Sequence, residues 1–143
     1  MNTATPTNPL ANRGRRIIAY FLDTQVYWIF NLFTNIPGIG EIIDILLIFY
    51  MLLRDLPGAS IGKRILGLRV VDHSSGAPAS RSQCVVRNLI LAGPLLFELV
   101  PVLGFFLGTG FLIAISMIEL GLLLTTGRRL GDMIAGTSVI KVL

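Results

Sequence analysis

The stretch from residue 89 to residue 126 most constrains what this chain can fold into: it is almost wholly apolar and contains no basic residue, and Glu98 and Glu119 are its only charges. As one helix at about 1.5 Å per residue it would reach about 57 Å. A bilayer's hydrocarbon core is only about 30 Å thick. The stretch therefore divides at Val100-Pro101-Val102-Leu103-Gly104, giving a third helix near 86–100 and a fourth near 105–126. Two earlier apolar segments, roughly Arg16 to Thr34 and Gly40 to Leu53, supply the first and second helices. The turn Ile36-Pro37-Gly38-Ile39-Gly40 separates them. Several of these spans fall short of the usual length of about 20 residues, which calls for local thinning or tilted packing.

Composition agrees with membrane solvent. Hydrophobic residues make up 53% of the chain and charged residues 14%, against roughly 25% charged in soluble domains. The net charge is +4 and the pI about 9.8, but the basic residues are scattered between apolar runs. That pattern speaks for membrane topology rather than a nucleic-acid face. One cysteine, Cys84, and one histidine, His73, exclude an intramolecular disulfide and leave no plausible zinc site.

The expected fold is an all-α integral membrane protein, a four-helix polytopic bundle of two helical hairpins with a small cytoplasmic two-stranded element. Residues 1–12 read as a disordered cytoplasmic tail and 13–143 as the membrane domain. With the N-terminus in the cytoplasm and four crossings, the outside turns are 35–40 and 101–104. Neither holds Lys or Arg, so all 12 basic residues lie on the cytoplasmic side, as the positive-inside rule demands. Both termini are then cytoplasmic. Within the 54–88 loop, residues 60–67 read as a short interfacial amphipathic piece, Leu68–Asp72 as a strand and 73–76 as a turn. Ser80 or Ser82 caps the next helix. Thr137–Val142 reads as a second strand, and pairing the two satisfies both backbones. A weak internal repeat aligns Gly62-Lys63-Arg64-Ile65 with Gly127-Arg128-Arg129-Leu130.

Five of the eight acidic residues fall in apolar segments: Asp23, Glu41, Asp44, Glu98 and Glu119. Each costs about 2.5–3.5 kcal/mol at membrane depth, so each needs a partner, a proton or water. Helical spacing puts Arg16 and Asp23 on one face, continued by Tyr20, Tyr27 and Asn31. It likewise aligns Glu41 with Asp44, Arg87 with Glu98, and Thr109 with Ser116, Glu119 and Thr126. These polar faces are expected to meet inside the bundle. Satisfied ion pairs explain Asp23 with Arg16 about as well as function does. Glu41 and Asp44 are expected at the outer interface. Glu98 and Glu119 are deeper and favour function.

Other patterns carry less. Gly58-Ala59-Ser60-Ile61-Gly62-Lys63-Arg64 has three residues between its glycines, and Arg64 stands where a phosphate loop needs Ser or Thr. Gly104 and Gly108 make a GxxxG, read as close packing ahead of a dimer face. No nucleophile–base pair is evident, so an intramembrane enzyme is not expected.

Four segments together resemble a known family. They are Arg16-Ile17-Ile18-Ala19-Tyr20-Phe21-Leu22-Asp23 at the start of a helix, residues Gly62 to Asp72, Arg87-Asn88, and Gly127 to Thr137. In this order over residues 13–143 they resemble the RDD family of bacterial and archaeal membrane proteins, named for one arginine and two aspartates. The resemblance assigns these to Arg16, Asp23 and Asp132. It implies a helical domain in the cytoplasmic (inner) membrane without cofactor, and cation/proton antiport is an activity proposed for the family. The expected function is a small cation or proton transporter, a homo-oligomer in the lipid bilayer. Asp23, Glu98, Glu119 and Asp44 are its candidate ion- or proton-binding residues. The alternative is a non-transporting scaffold or accessory subunit.

Overall fold

The computed structural model describes residues 9–56, 58–100 and 103–142, without the side chains of 9–12, 103 and 105. Most of the expected tail, residues 1–8, and part of the second turn lie outside the described residues. The chain is mostly helical with one small sheet. Its order is α1 (Pro9–Asn31), α2 (Gly40–Leu53), α3 (Ile61–Ile65), β1 (Leu68–Asp72), α4 (Arg81–Ala92), a 3-10 segment (Gly93–Leu99), α5 (Leu103–Thr126), α6 (Leu130–Ile134) and β2 (Thr137–Lys141). Helix α1 begins within the 1–12 segment expected as tail, seven residues before the helix start read from the sequence.

Helix α4 starts at a capping box. Ser80 Oγ accepts from Gln83 N at 3.2 Å, and Gln83 Oε1 accepts from Ser80 N at 2.9 Å. The α-helix expected over 86–100 ends instead at Ala92. Pro94 has no N–H to donate to the preceding turn, and the chain tightens into the 3-10 segment. That segment packs tightly on the head of α5. A Cβ on Gly108 would lie 2.5 Å from Glu98 Cγ, and one on Gly104 would lie 1.9 Å from Phe97 O. The GxxxG face is thus filled by the chain's own 3-10 segment.

The two expected strands pair antiparallel, Leu68 with Lys141 through Asp72 with Thr137. Val70 pairs with Val139 at the centre of the ladder. The short helices α3 and α6 precede β1 and β2 in the same way, which sets the register of the internal repeat. Gly62 corresponds to Gly131, Ile65 to Ile134, Gly67 to Gly136 and Val70 to Val139. Gly67 and Gly136 share a positive φ, 64° and 62°. The alignment of Gly62 with Gly127 is therefore replaced by Gly62 with Gly131. Because Val70 pairs with its own counterpart, the two halves meet about an approximate two-fold axis through that pair.

The same symmetry governs helix contacts. A Cβ on Gly62 would come within 2.5 Å of Ala19 O on α1, and one on Gly131 within 2.0 Å of Arg87 O on α4. Only glycine lets each short helix seat on its long one.

Residues 106–126 are long and apolar enough to cross a membrane, and only 22% of that window is buried. A soluble core helix would be mostly covered. Helix α1 carries Arg13, Arg15, Arg16 and Asp23, and α2 has only 14 residues; charge and length separate them from α5.

Candidate functional site

A buried apolar layer divides the polar interior in two. Tyr27, Leu47, Met51, Leu91, Leu95 and Leu112 form it, one or two residues from each long element. At the end nearer the sheet, the helices converge on a cluster of buried charges. At the opposite end, by the α1–α2 turn, lies an acidic pocket.

Asp132 is the hub of the sheet-end cluster. Its carboxylate meets Arg16 Nη2 at 2.5 Å from α1 and Arg87 Nη2 at 2.6 Å from α4. It also accepts from Arg129 N at 3.3 Å. Arg16 Nη1 donates to Gly127 O as well. Burial alone would raise the Asp132 carboxyl. Arg87, Arg129 and Arg16 reverse that and hold it down at about 2.

Asp55, just beyond α2, is the second hub. Lys63 Nζ lies 2.7 Å from one of its oxygens and Arg87 Nε 3.5 Å from the other. Burial pushes this carboxyl up, but Lys63, Arg87 and Arg54 outweigh it and keep Asp55 well below the ordinary range. Arg87 thus bridges both hubs.

Asp23 is held differently from the expectation. Its partner is not Arg16. Ser60 Oγ and Gly62 N, the latter at 2.8 Å, both donate to it, and Lys63 Nζ lies 3.7 Å away. Seating α3 on α1 brings these donors to the carboxylate, while Arg16 turns to Asp132. Glu119, expected as a deep acid that favours function, accepts from Gly131 N at 3.2 Å and lies 3.6 Å from Arg129 Nη1. Arg129 also stacks 5.6 Å from the centre of the Tyr20 ring, and its guanidinium, depressed by burial, is raised on balance by Glu119 and Asp132. The repeat recurs here: Gly62 and Gly131, equivalent residues, each donate N–H to a carboxylate on a long helix.

At the other end, Glu98 accepts from Tyr27 Oη at 2.9 Å and Thr109 Oγ1 at 3.2 Å, and Asn31 Nδ2 donates to Tyr27 Oη at 3.1 Å. Glu98, Glu41 and Asp44 line one pocket of about 220 Å³ with the 34–40 turn. Arg87 does not reach Glu98, because the break at Pro94 ends the shared helical face and Arg87 points into the sheet-end cluster. Tyr20 Oη donates to Ser116 Oγ at 2.8 Å inside the apolar layer.

Of the expected residues, the structure brings Arg16 and Asp132 together in one pair. It places Asp23 and Glu119 beside them with other partners, and sets Glu98 and Asp44 apart in the pocket. Asp55, Lys63, Arg87 and Arg129 complete the cluster. Lys63, Arg87 and Arg129 lie within the quoted motif segments, although helical spacing had set Arg87 with Glu98; Asp55 lies outside them and was not singled out.

A long apolar helix, exposed apolar side chains and an interior of paired charges define a membrane-type helical protein with a buried arginine–aspartate network. The chain belongs to the RDD family, whose model matches residues 10–136, a span that includes Arg16, Asp23 and Asp132. Comparison with curated proteins and with solved structures returns no match.

Proposed function

We propose that this chain crosses the cytoplasmic membrane four times, with both termini inside, and that its acidic pocket admits a monovalent cation or proton for transport. Long apolar side chains exposed on every long element, such as Phe21, Phe49, Leu89 and Phe106, support four spans, as does the confinement of basic residues to the sheet end. That end is then cytoplasmic and the pocket outer.

The observation that carries the transport reading is Glu98. It is an acid facing an open pocket beside Glu41 and Asp44, held by two hydroxyl donors and by no cation among the described residues. The buried acids at the cytoplasmic end, Asp23, Asp55, Glu119 and Asp132, are all committed to ion pairs. Transport across the apolar layer between the two ends requires a rearrangement or a route completed in a homo-oligomer.

The test is cation-driven proton flux in liposomes. Glu98→Gln should abolish flux while the protein still inserts. Flux that survives Glu98→Gln together with Asp44→Asn sinks the reading.

A scaffold or accessory role is the second reading, favoured by the pairing of all four buried acids at the cytoplasmic end. It expects a partner protein to be recovered from native membranes in mild detergent; recovery of this chain alone counts against it.

A further inference from the structure

Among the described residues, the buried charges do not balance. Arg16, Arg54, Lys63, Arg87 and Arg129 are buried cations, and Asp23, Asp55, Glu119 and Asp132 are the buried carboxylates. The four carboxylates pair with Arg16, Lys63, Arg87 and Arg129, so Arg54 is the buried cation without an ion pair among the described residues, in a setting where an uncompensated charge costs several kcal/mol.

A cavity of about 10 Å³ lies inside this cluster, bounded by Arg16, Lys63, Arg129, Tyr20 and apolar side chains. That is room for one water-sized particle. Three of the five buried cations border it and no carboxylate does. Arg129 Nη2 is buried without a hydrogen-bond acceptor, and Asp132 Oδ1 is 3.9 Å away. Burial depresses the Lys63 ammonium to about 8; Asp55 opposes that shift, while Arg87, Arg129 and Arg54 add to it. A water here would find donors and few acceptors, because ammonium and guanidinium groups only donate.

We propose that this cavity is a binding site for one small monatomic anion of chloride size, seated among Arg16, Lys63 and Arg129. The anion supplies an acceptor for Arg129 Nη2 and offsets the mutual repulsion of the three cations that border the cavity. It locks α1, α3 and the segment before α6 together. Larger oxyanions do not fit. The site is separate from the acidic pocket, and its test does not depend on transport.

The full-length protein in detergent is unfolded thermally in sodium chloride, bromide or gluconate at equal ionic strength. Chloride and bromide should raise the midpoint over gluconate by about 5 °C at a concentration tenfold above Kd. Val139→Ile, which adds one methyl group to the cavity wall, should fold and lose that difference. Crystals grown in bromide should show an anomalous peak between Arg16, Lys63 and Arg129, an observation that needs no variant. Equal midpoints in all three salts, a halide effect that survives Val139→Ile, or a cavity without anomalous signal would each overturn the proposal.

Discussion

Lys63 and Asp132 stand at the same position of matching short helices, the third residue of α3 and of α6, and carry opposite charges. Each gathers groups of the other sign. Lys63 holds Asp55 at 2.7 Å and approaches Asp23 at 3.7 Å, while Asp132 holds Arg16 and Arg87 at 2.5 and 2.6 Å. Two halves related by an approximate two-fold thus dock through complementary charges. Arg87 joins them, because it touches Asp132 on one side and Asp55 on the other.

Removing the Asp132 charge should therefore cost more than any single surface ion pair. Asp132→Asn leaves Arg16 and Arg87 buried beside a neutral amide. Breaking a buried pair by deleting one partner costs about 3–5 kcal/mol. The expected result in detergent is a large fall in thermal midpoint, with Glu41→Gln, at an exposed acid in no ion pair among the described residues, changing little. A midpoint for Asp132→Asn equal to that of Glu41→Gln would refute the hub assignment.

The glycines that seat the short helices should be intolerant, unlike glycines on open faces. A Cβ at Gly131 would lie 2.0 Å from Arg87 O and one at Gly62 2.5 Å from Ala19 O, both backbone atoms that cannot swing away. Gly110 and Gly121 on α5 have nothing within 4 Å. Gly131→Ala and Gly62→Ala should each destabilise by about 1–3 kcal/mol. Gly110→Ala and Gly121→Ala should be neutral or gain up to about 1 kcal/mol of helix propensity. Thermal unfolding of the four single variants checks the contrast.

Acid should loosen the sheet end. The Asp132 carboxyl sits at about 2 in the folded protein, depressed from 3.8. A depressed carboxyl adds stability that is fully present above its unfolded value and is lost as pH falls through its folded one. The window is thus roughly pH 4 down to pH 2, and Asp132 contributes about 2 kcal/mol there. Asp55 shifts in the same direction. The midpoint measured from pH 7 to pH 2 should fall mainly below pH 4, and Asp132→Asn should flatten that dependence. A slope unchanged in the variant would show that other carboxyls carry it.

Much of this arrangement was legible in the sequence because local pattern and local structure agreed. The alternating β-branched residues of 68–72 and 137–141 do pair, and Ser80 with Gln83 does cap α4. Arg16 and Asp132 were linked through the family resemblance and meet in the structure. What failed was extrapolation along a helix past its break. Arg87 and Glu98 share a face only on an unbroken helix, and Pro94 ends it. The partner of Asp23 was missed for a different reason. Its donors, Ser60 and Gly62, arrive from a short helix folded back on α1, and no periodicity in α1 encodes that contact.

The four-span reading makes a prediction independent of transport. Asn35 lies in the α1–α2 turn and Ser74 in the turn after β1, so four crossings put them on opposite sides of the membrane. Cys84 is the chain's one cysteine and is buried, so Cys84→Ala gives a background free of thiols. In that background, Asn35→Cys should react with a membrane-impermeant maleimide in intact cells, and Ser74→Cys should react only after the membrane is permeabilised. Both polar turns are exposed, so failure to react reports sidedness rather than burial. Labelling of Ser74→Cys in intact cells, or protection of Asn35→Cys, would overturn the topology. The acidic pocket would then face the cytoplasm, and Glu98 would lose its place as the outer entry for a cation.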